Sequence, residues 1–242
     1  MAILLLVRHA TTAATGQRLG GWTPGVHLDE AGVAQAEATA ARLADLGVTA
    51  VYSSPLERTR DTADIVADAV GVEVVERRGL GETDYGDWTD RPLAELRTEP
   101  LWRVIQSTPS RATFPGGESL RGSQARMVGE LEELAAAHGD RDVVVAVSHA
   151  DPIKAAVAHF LGMPLDTFQR LSIAPASVTV VALPAGHAPA VLGVNLAGDI
   201  TLPSPPTDDD ASAAEGDEAG ADEADGDQAD DEADPTGGTD RP

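Results

Sequence analysis

Two histidines in this chain follow directly on runs of aliphatic residues. Ile-Leu-Leu-Leu-Val leads into Arg8-His9, and Val-Val-Val-Ala-Val leads into Ser148-His149. Unalternating runs of that length read as strands buried on both faces. Ligands of open α/β sheets bind at the carboxyl ends of such strands, which is where both imidazoles and the Arg8 guanidinium fall. Imidazole suits base and nucleophilic work near neutral pH, and guanidinium suits the binding of anions. Either histidine alone could be satisfied by a loop carbonyl and do nothing more. Of the six histidines only these two have the placement. A third segment, Tyr-Ser-Ser-Pro-Leu-Glu-Arg-Thr-Arg-Asp-Thr-Ala over residues 52–63, brings Ser53, Ser54 and Arg58 towards the same rim.

The elements that must position these groups alternate along the chain. Residues 29–46 read as an Ala-rich helix with apolar spacing at Val33, Ala36, Ala40 and Leu43, closed by Gly47. Residues 48–53 read as a second strand. Pro55 suits the first turn of a helix reaching Val70, with Gly71 after it. Residues 72–75 form a short third strand. Residues 79–117 are irregular, with short helices near 92–98 and 100–106. Residues 119–137 read as a helix capped by Ser119 and ended by Gly139. Residues 142–147 make the strand before His149, and Asp151 and Pro152 read as N-cap and first-turn residue of a helix to Leu161. Strands at 178–183 and 190–194 close the domain. Helices between strands predict a three-layer α/β/α domain with a mostly parallel sheet.

The net charge of −23 is unevenly spread. Residues 203–242 hold 15 of the 40 acidic residues and one of the 17 basic ones. Their apolar side chains are Ala and Pro, too little to offset ordering entropy, so this stretch reads as a disordered acidic tail. The domain is expected over residues 1–202. With no cysteine there is no disulfide or thiolate chemistry. The opening apolar run is too short to span a membrane and lacks the flanks of a signal peptide, so a cytoplasmic protein is expected, away from membranes. The acidity disfavours a nucleic-acid partner, whose phosphate backbone needs basic surface.

The ordered set of motifs resembles the histidine phosphatase superfamily, the phosphoglycerate mutase-like enzymes. The resemblance rests on the Arg8-His9 pair, Ser-Ser-Pro-Leu-Glu-Arg-Thr, Glu82 in Gly-Glu-Thr-Asp-Tyr-Gly-Asp-Trp, the Phe-Pro-Gly-Gly-Glu-Ser turn at 114–119, and Val-Ser-His149, across residues 3–200. It implies that His9 is the nucleophile, carrying phosphate as a phosphohistidine. Arg8, Arg58 and His149 would hold the phosphoryl oxygens, and Glu82 would protonate the leaving oxygen. The backbone N–H of Ala150, at a helix start, is a further anion ligand. The family often has Gly after the first histidine and Asn six residues beyond it; here these are Ala10 and Thr15. Thr15 keeps a hydroxyl for substrate binding but loses the amide's reach, and Thr12 and Gln17 are alternative donors.

The same resemblance implies a small phosphorylated substrate, no metal and no cofactor, with a homodimer as a family-level expectation. Mutases of the family carry a long insertion between the acid and the second histidine; here 66 residues separate Glu82 from His149. A phosphomonoester hydrolase is therefore expected, with a phosphoglycerate mutase-type phosphomutase and an inactive phospho-ligand binder as alternatives. Sugar phosphates, phosphorylated carboxylic acids and nucleotide-derived phosphates all suit this reading. Residues 109–119 are expected as a flap over the site. Trp22 and Trp88 lie near the motifs as pocket or core residues. His149 and Asp151 lack a third ligand at zinc-like spacing, and Asp151 is better read as a helix cap.

Overall fold

The computed structural model describes residues 2–200 and Leu202. The acidic tail lies outside the described residues. Strand β1 (Ala2–Arg8) alternates its side chains between two cores. Ile3, Leu5 and Val7 enter one, and Leu4 and Leu6 enter the other. That is why the run shows no polar alternation: neither face of the strand meets water.

Helix α1 (Glu30–Leu43) starts where the Asp29 carboxylate accepts from the Gly32 N–H at 2.7 Å. A Cβ at Gly32 would collide with the Thr11 carbonyl, so this glycine lets the chain after His9 pack against the helix. Strand β2 (Val48–Ser53) leads to helix α2 (Glu57–Val70), which ends at Gly71 with φ +74°. The helix begins later than the sequence predicts. Its N-cap is Leu56, which is extended at φ −78° and ψ 140°, and Pro55 lies outside it.

Strand β3 is Val74–Glu76, and the two short helices are α3 (Leu93–Leu96) and α4 (Pro100–Ser107). Helix α5 (Leu120–Ala137) is capped by the Ser119 hydroxyl, which accepts from Gly122. Strand β4 (Val143–Ser148) runs into α6 (Ala150–Phe160), and β5 (Val178–Leu183) and β6 (Ala190–Leu196) follow.

The sheet order is β3-β2-β4-β1-β5-β6. The first four strands are parallel, and β5 and β6 add on antiparallel. Helices α1 and α2 cover one face around Ala40, Leu43, Ala63 and Val66. Helices α5 and α6 cover the other around Met127, Leu131, Ile153 and Ala156. The expected three-layer, mostly parallel α/β/α domain is what forms. Among the described residues no helix is long and apolar enough to cross a membrane.

Arg8 pairs with Ser148 between β1 and β4, and Ser53 pairs with Val147 between β2 and β4. The next residues out, His9, Ser54 and His149, therefore leave three adjacent parallel strands at one rim.

Candidate active site

A cleft of about 250 Å³ opens at that rim. Arg8, His9, Thr12, Thr15, Arg58, Glu82, Ala150 and Asp151 all line it. His9 and His149 are buried, with ring centroids 5.3 Å apart and planes inclined by 61°.

The hydrogen bonds assign each ring its proton. His9 Nδ1 lies 2.8 Å from the Ala10 carbonyl, an acceptor only, so Nδ1 carries the hydrogen. Nε2 is then the unprotonated end, 3.4 Å from the Arg58 Nε donor. His149 Nδ1 lies 3.2 Å from Arg58 Nη2, which can only donate, so Nδ1 accepts. His149 Nε2 therefore donates to the Ser54 hydroxyl at 2.9 Å. Burial, and then the Arg58 charge, push His9 down to about 3 and His149 well below the ordinary imidazole value. Both rings are neutral, with a lone pair on one defined nitrogen.

The guanidinium groups are held but not used up. Arg8 donates from Nη1 to the Ile173 carbonyl at 2.6 Å, and Arg58 from Nη2 to the Gly21 carbonyl at 2.8 Å. Arg8 Nε and Arg58 Nη1 are buried with no hydrogen-bond partner. A buried donor left unpaired costs about 1–3 kcal/mol, and two at one cleft mark a place built to meet an acceptor.

Glu82 is buried at the same cleft. Its Oε1 accepts from the Thr83 N–H at 2.9 Å, and its Oε2 lies 3.8 Å from His149 Nδ1. Burial, helped by the Asp151 charge and opposed by Arg58, raises its pKa to about 7. The backbone of Glu82 is fixed from behind: its carbonyl accepts from Trp22 Nε1 at 2.7 Å and from Arg126 Nη2 at 3.2 Å. A neutral imidazole, two spare cationic donors and a carboxyl group that can hold or release a proton near pH 7 can together transfer an oxyanion group.

Of the site residues named from the sequence, Arg8, His9, Thr15, Arg58, Glu82 and Ala150 line the cleft, and His149 lies fully buried behind it against Arg58. Thr15 is present, but its hydroxyl is 3.1 Å from that of Thr12 and accepts from the Thr12 N–H at 2.9 Å. Gln17 is exposed and not part of the lining.

Two expectations need correction. Asp151 is not the N-cap of α6; His149 holds that position, and Asp151 sits in the first turn. Its carboxylate instead accepts from the Tyr85 hydroxyl and pairs with Lys154. Residues 109–119 do not line the cleft. That turn is tied to the 84–87 segment through Asp87 N to Pro115 O at 2.8 Å and Glu118 N to Asp84 O at 2.9 Å, and a Cβ at Gly86 would strike the Pro115 carbonyl. The wall is built from residues 14–16 and 18–20 instead. Trp88 packs in the core with Phe114, and Trp22 backs the Glu82 segment, so neither lines the pocket.

Sequence reasoning left Ser54 and Arg126 without roles. Ser54 lies within the quoted motif, but a hydroxyl that orients a ring 95 positions away has no local signal.

The family model of the histidine phosphatase superfamily (branch 1) matches residues 4–196. Phosphoserine phosphatase 1 of Hydrogenobacter thermophilus is 35% identical over 186 residues, which are 75% of this chain and 86% of the relative. A probable phosphoglycerate mutase, GpmB, of Erwinia tasmaniensis is 34% identical over 185 residues, 75% of this chain and 85% of the relative. Other relatives, mycobacterial proteins 36% identical over 201 residues, are longer, and the chain spans 54% of their length. Among solved structures, a mycobacterial glucosyl-3-phosphoglycerate phosphatase superposes with a TM-score of 0.67 at 30% identity, covering 74% of this chain and 89% of the other.

Proposed function

The chain belongs to the histidine phosphatase superfamily, and from that premise we propose that it is a phosphomonoester hydrolase working through a phosphohistidine on a small phosphorylated metabolite. The observation that carries this reading is the pair of unpartnered guanidinium nitrogens, Arg8 Nε and Arg58 Nη1, in the cleft of His9 Nε2.

In the proposed reaction His9 Nε2 attacks phosphorus in line with the ester oxygen. The N–P bond forms as the P–O bond to the leaving group breaks. Arg8, Arg58 and the Ala150 N–H hold the three remaining oxygens, joined by His149 once its Nδ1 takes up a proton as the anion enters, so that charge is balanced through the transition state. Glu82, a protonated carboxylic acid below about pH 7, gives its proton to the leaving oxygen. The resulting carboxylate then takes a proton from water, whose oxygen attacks phosphorus. The N–P bond breaks, and phosphate leaves with His9 neutral again. Thr12 and Thr15 add hydroxyls at the cleft wall. Because two guanidinium groups supply the cationic charge, turnover is expected to persist in chelator and to be inhibited by vanadate.

Phosphate release from a panel of phosphomonoesters, with trapping of the phosphoenzyme, tests the reading. The relative named as a mutase supports a second reading, in which the phosphoryl group returns to a bound intermediate. Incubation with 3-phosphoglycerate and its bisphosphate separates the two. Isomerisation faster than phosphate release would replace hydrolysis by the mutase reaction.

A further inference from the structure

Asp151 lines the cleft but has no part in the phosphoryl transfer described above. Its side chain keeps 23% of its surface exposed, while Lys154 beside it keeps 12%. Two groups fix the carboxylate from opposite ends. The Tyr85 hydroxyl donates to Oδ2 at 3.0 Å, and Lys154 Nζ lies 2.8 Å from Oδ1. Each anchor is itself held. Tyr85 is buried edge-on against Phe114 at 4.9 Å. Lys154 also donates to Gln169 at 3.0 Å and sits 4.9 Å from the centre of the Phe168 ring.

A carboxylate oxygen has room for a second hydrogen bond, and an ionised carboxylate can only accept. Burial works to neutralise Asp151, but the Lys154 charge and the two hydrogen bonds outweigh it and hold the group below its ordinary value. It is an ionised, immobile acceptor facing the cleft. It also stands beside Glu82, the group placed at the leaving oxygen. Tyr85 follows Glu82 by three residues and bridges to Asp151, and the Asp151 charge is felt by Glu82.

We propose that Asp151 is a specificity-determining residue, selecting phosphomonoesters whose leaving group carries a hydroxyl or ammonium donor near the ester oxygen and rejecting those with a carboxylate there. This rests on the hydrolase reading. A donor gains a charge-assisted hydrogen bond to an acceptor that needs no reordering. A second carboxylate meets a like charge that cannot swing away. With Lys154 offsetting part of that charge, the discrimination is expected to be about tenfold.

The test compares two esters of one shape, glycerol 3-phosphate with a terminal hydroxymethyl group and 3-phosphoglycerate with a carboxylate in its place. Wild type is expected to favour glycerol 3-phosphate by about tenfold or more in kcat/KM, with phosphoethanolamine also preferred to 3-phosphoglycerate. Asp151→Asn should bring the ratio towards one, chiefly by improving 3-phosphoglycerate. Lys154→Gln should widen it, because the Asp151 charge is then unopposed. A merely structural role would move both variants the same way and leave the ratio alone. An unchanged ratio in Asp151→Asn, or a wild-type preference for 3-phosphoglycerate, overturns the proposal. Turnover of p-nitrophenyl phosphate by wild type reports on the hydrolase reading separately. Should no ester be hydrolysed, the same ratio read as Kd by calorimetry decides on Asp151.

Discussion

Arg58 touches both imidazoles of the cleft: its Nε lies 3.4 Å from His9 Nε2 and its Nη2 lies 3.2 Å from His149 Nδ1. One guanidinium thereby fixes which nitrogen of His149 accepts, and it disfavours a second positive charge on either ring. Two imidazolium ions beside Arg8 and Arg58 would repel one another in a poorly solvated site. The neutral rings are the lower-energy state until an anion enters, and neutrality is what leaves His9 Nε2 able to attack phosphorus.

Arg58→Lys is expected to lower kcat/KM by about 10²–10³, the usual loss when one donor to a developing oxyanion is removed. An ammonium cannot reach His9, His149 and the Gly21 carbonyl together and still present a donor to the cleft. Steady-state kinetics check this, and inhibition by inorganic phosphate should weaken in parallel. Retention of wild-type kcat/KM would remove Arg58 from the phosphate site.

The depressed His9 makes stability depend on pH. Its folded value of about 3 lies below the unfolded value of 6.5, so the unfolded chain binds the extra proton between those limits. The stabilisation is present above pH 6.5 and is lost as pH falls towards 3. It amounts to roughly 5 kcal/mol, at about 1.4 kcal/mol per tenfold change in proton affinity. His9→Gln should therefore lose less stability than wild type between pH 7 and pH 4. Urea denaturation at the two pH values reads the difference.

Glu82 has the opposite sign. Its folded value of about 7 exceeds the ordinary carboxylate value of 4.5, so its contribution is full below pH 4.5 and is lost as pH rises through 7. Glu82→Gln should be the more stable protein at pH 8, by roughly 3 kcal/mol relative to its margin at pH 4. In catalysis, turnover of alkyl phosphates should fall above about pH 7, where the acid form is spent. Esters with good leaving groups should keep their rate to higher pH. A pH–rate profile identical for both classes would contradict the acid role.

Arg126 holds the segment that carries Glu82. It donates to the carbonyls of Gly79 at 2.7 Å, Gly81 at 3.0 Å and Glu82 at 3.2 Å, and pairs with Glu118 at 2.7 Å. Arg126→Gln should slow alkyl phosphates by about tenfold or more while affecting a nitrophenyl ester much less, because only the former needs the proton. Equal losses for both substrates would mean that the residue serves the fold alone.

What the sequence made legible follows from what is local in it. Buried strands ending in Arg8-His9 and Ser148-His149 announce themselves through unbroken aliphatic runs, and parallel pairing then brings their ends together. Ser119 capping α5 and Gly71 ending α2 are equally local. Asp151 is not legible in this way, because an Asp before a Pro looks like a cap, whereas its partners are Tyr85, 66 positions away, and Lys154. The cleft wall at residues 14–16 and 18–20 is hidden for the same reason. Its shape depends on the Leu19 N–H to Arg91 carbonyl bond at 3.0 Å and the bridge between Arg18 and Pro92, pairings between irregular segments that no periodicity reveals.

The most direct test is to quench the protein during turnover of a phosphorus-labelled monoester and map the label. The account predicts one acid-labile, base-stable phosphoryl group on His9, formed and discharged at rates that match phosphate release and absent from His9→Gln. Label on another residue, or phosphate release by His9→Gln at the wild-type rate, would contradict it.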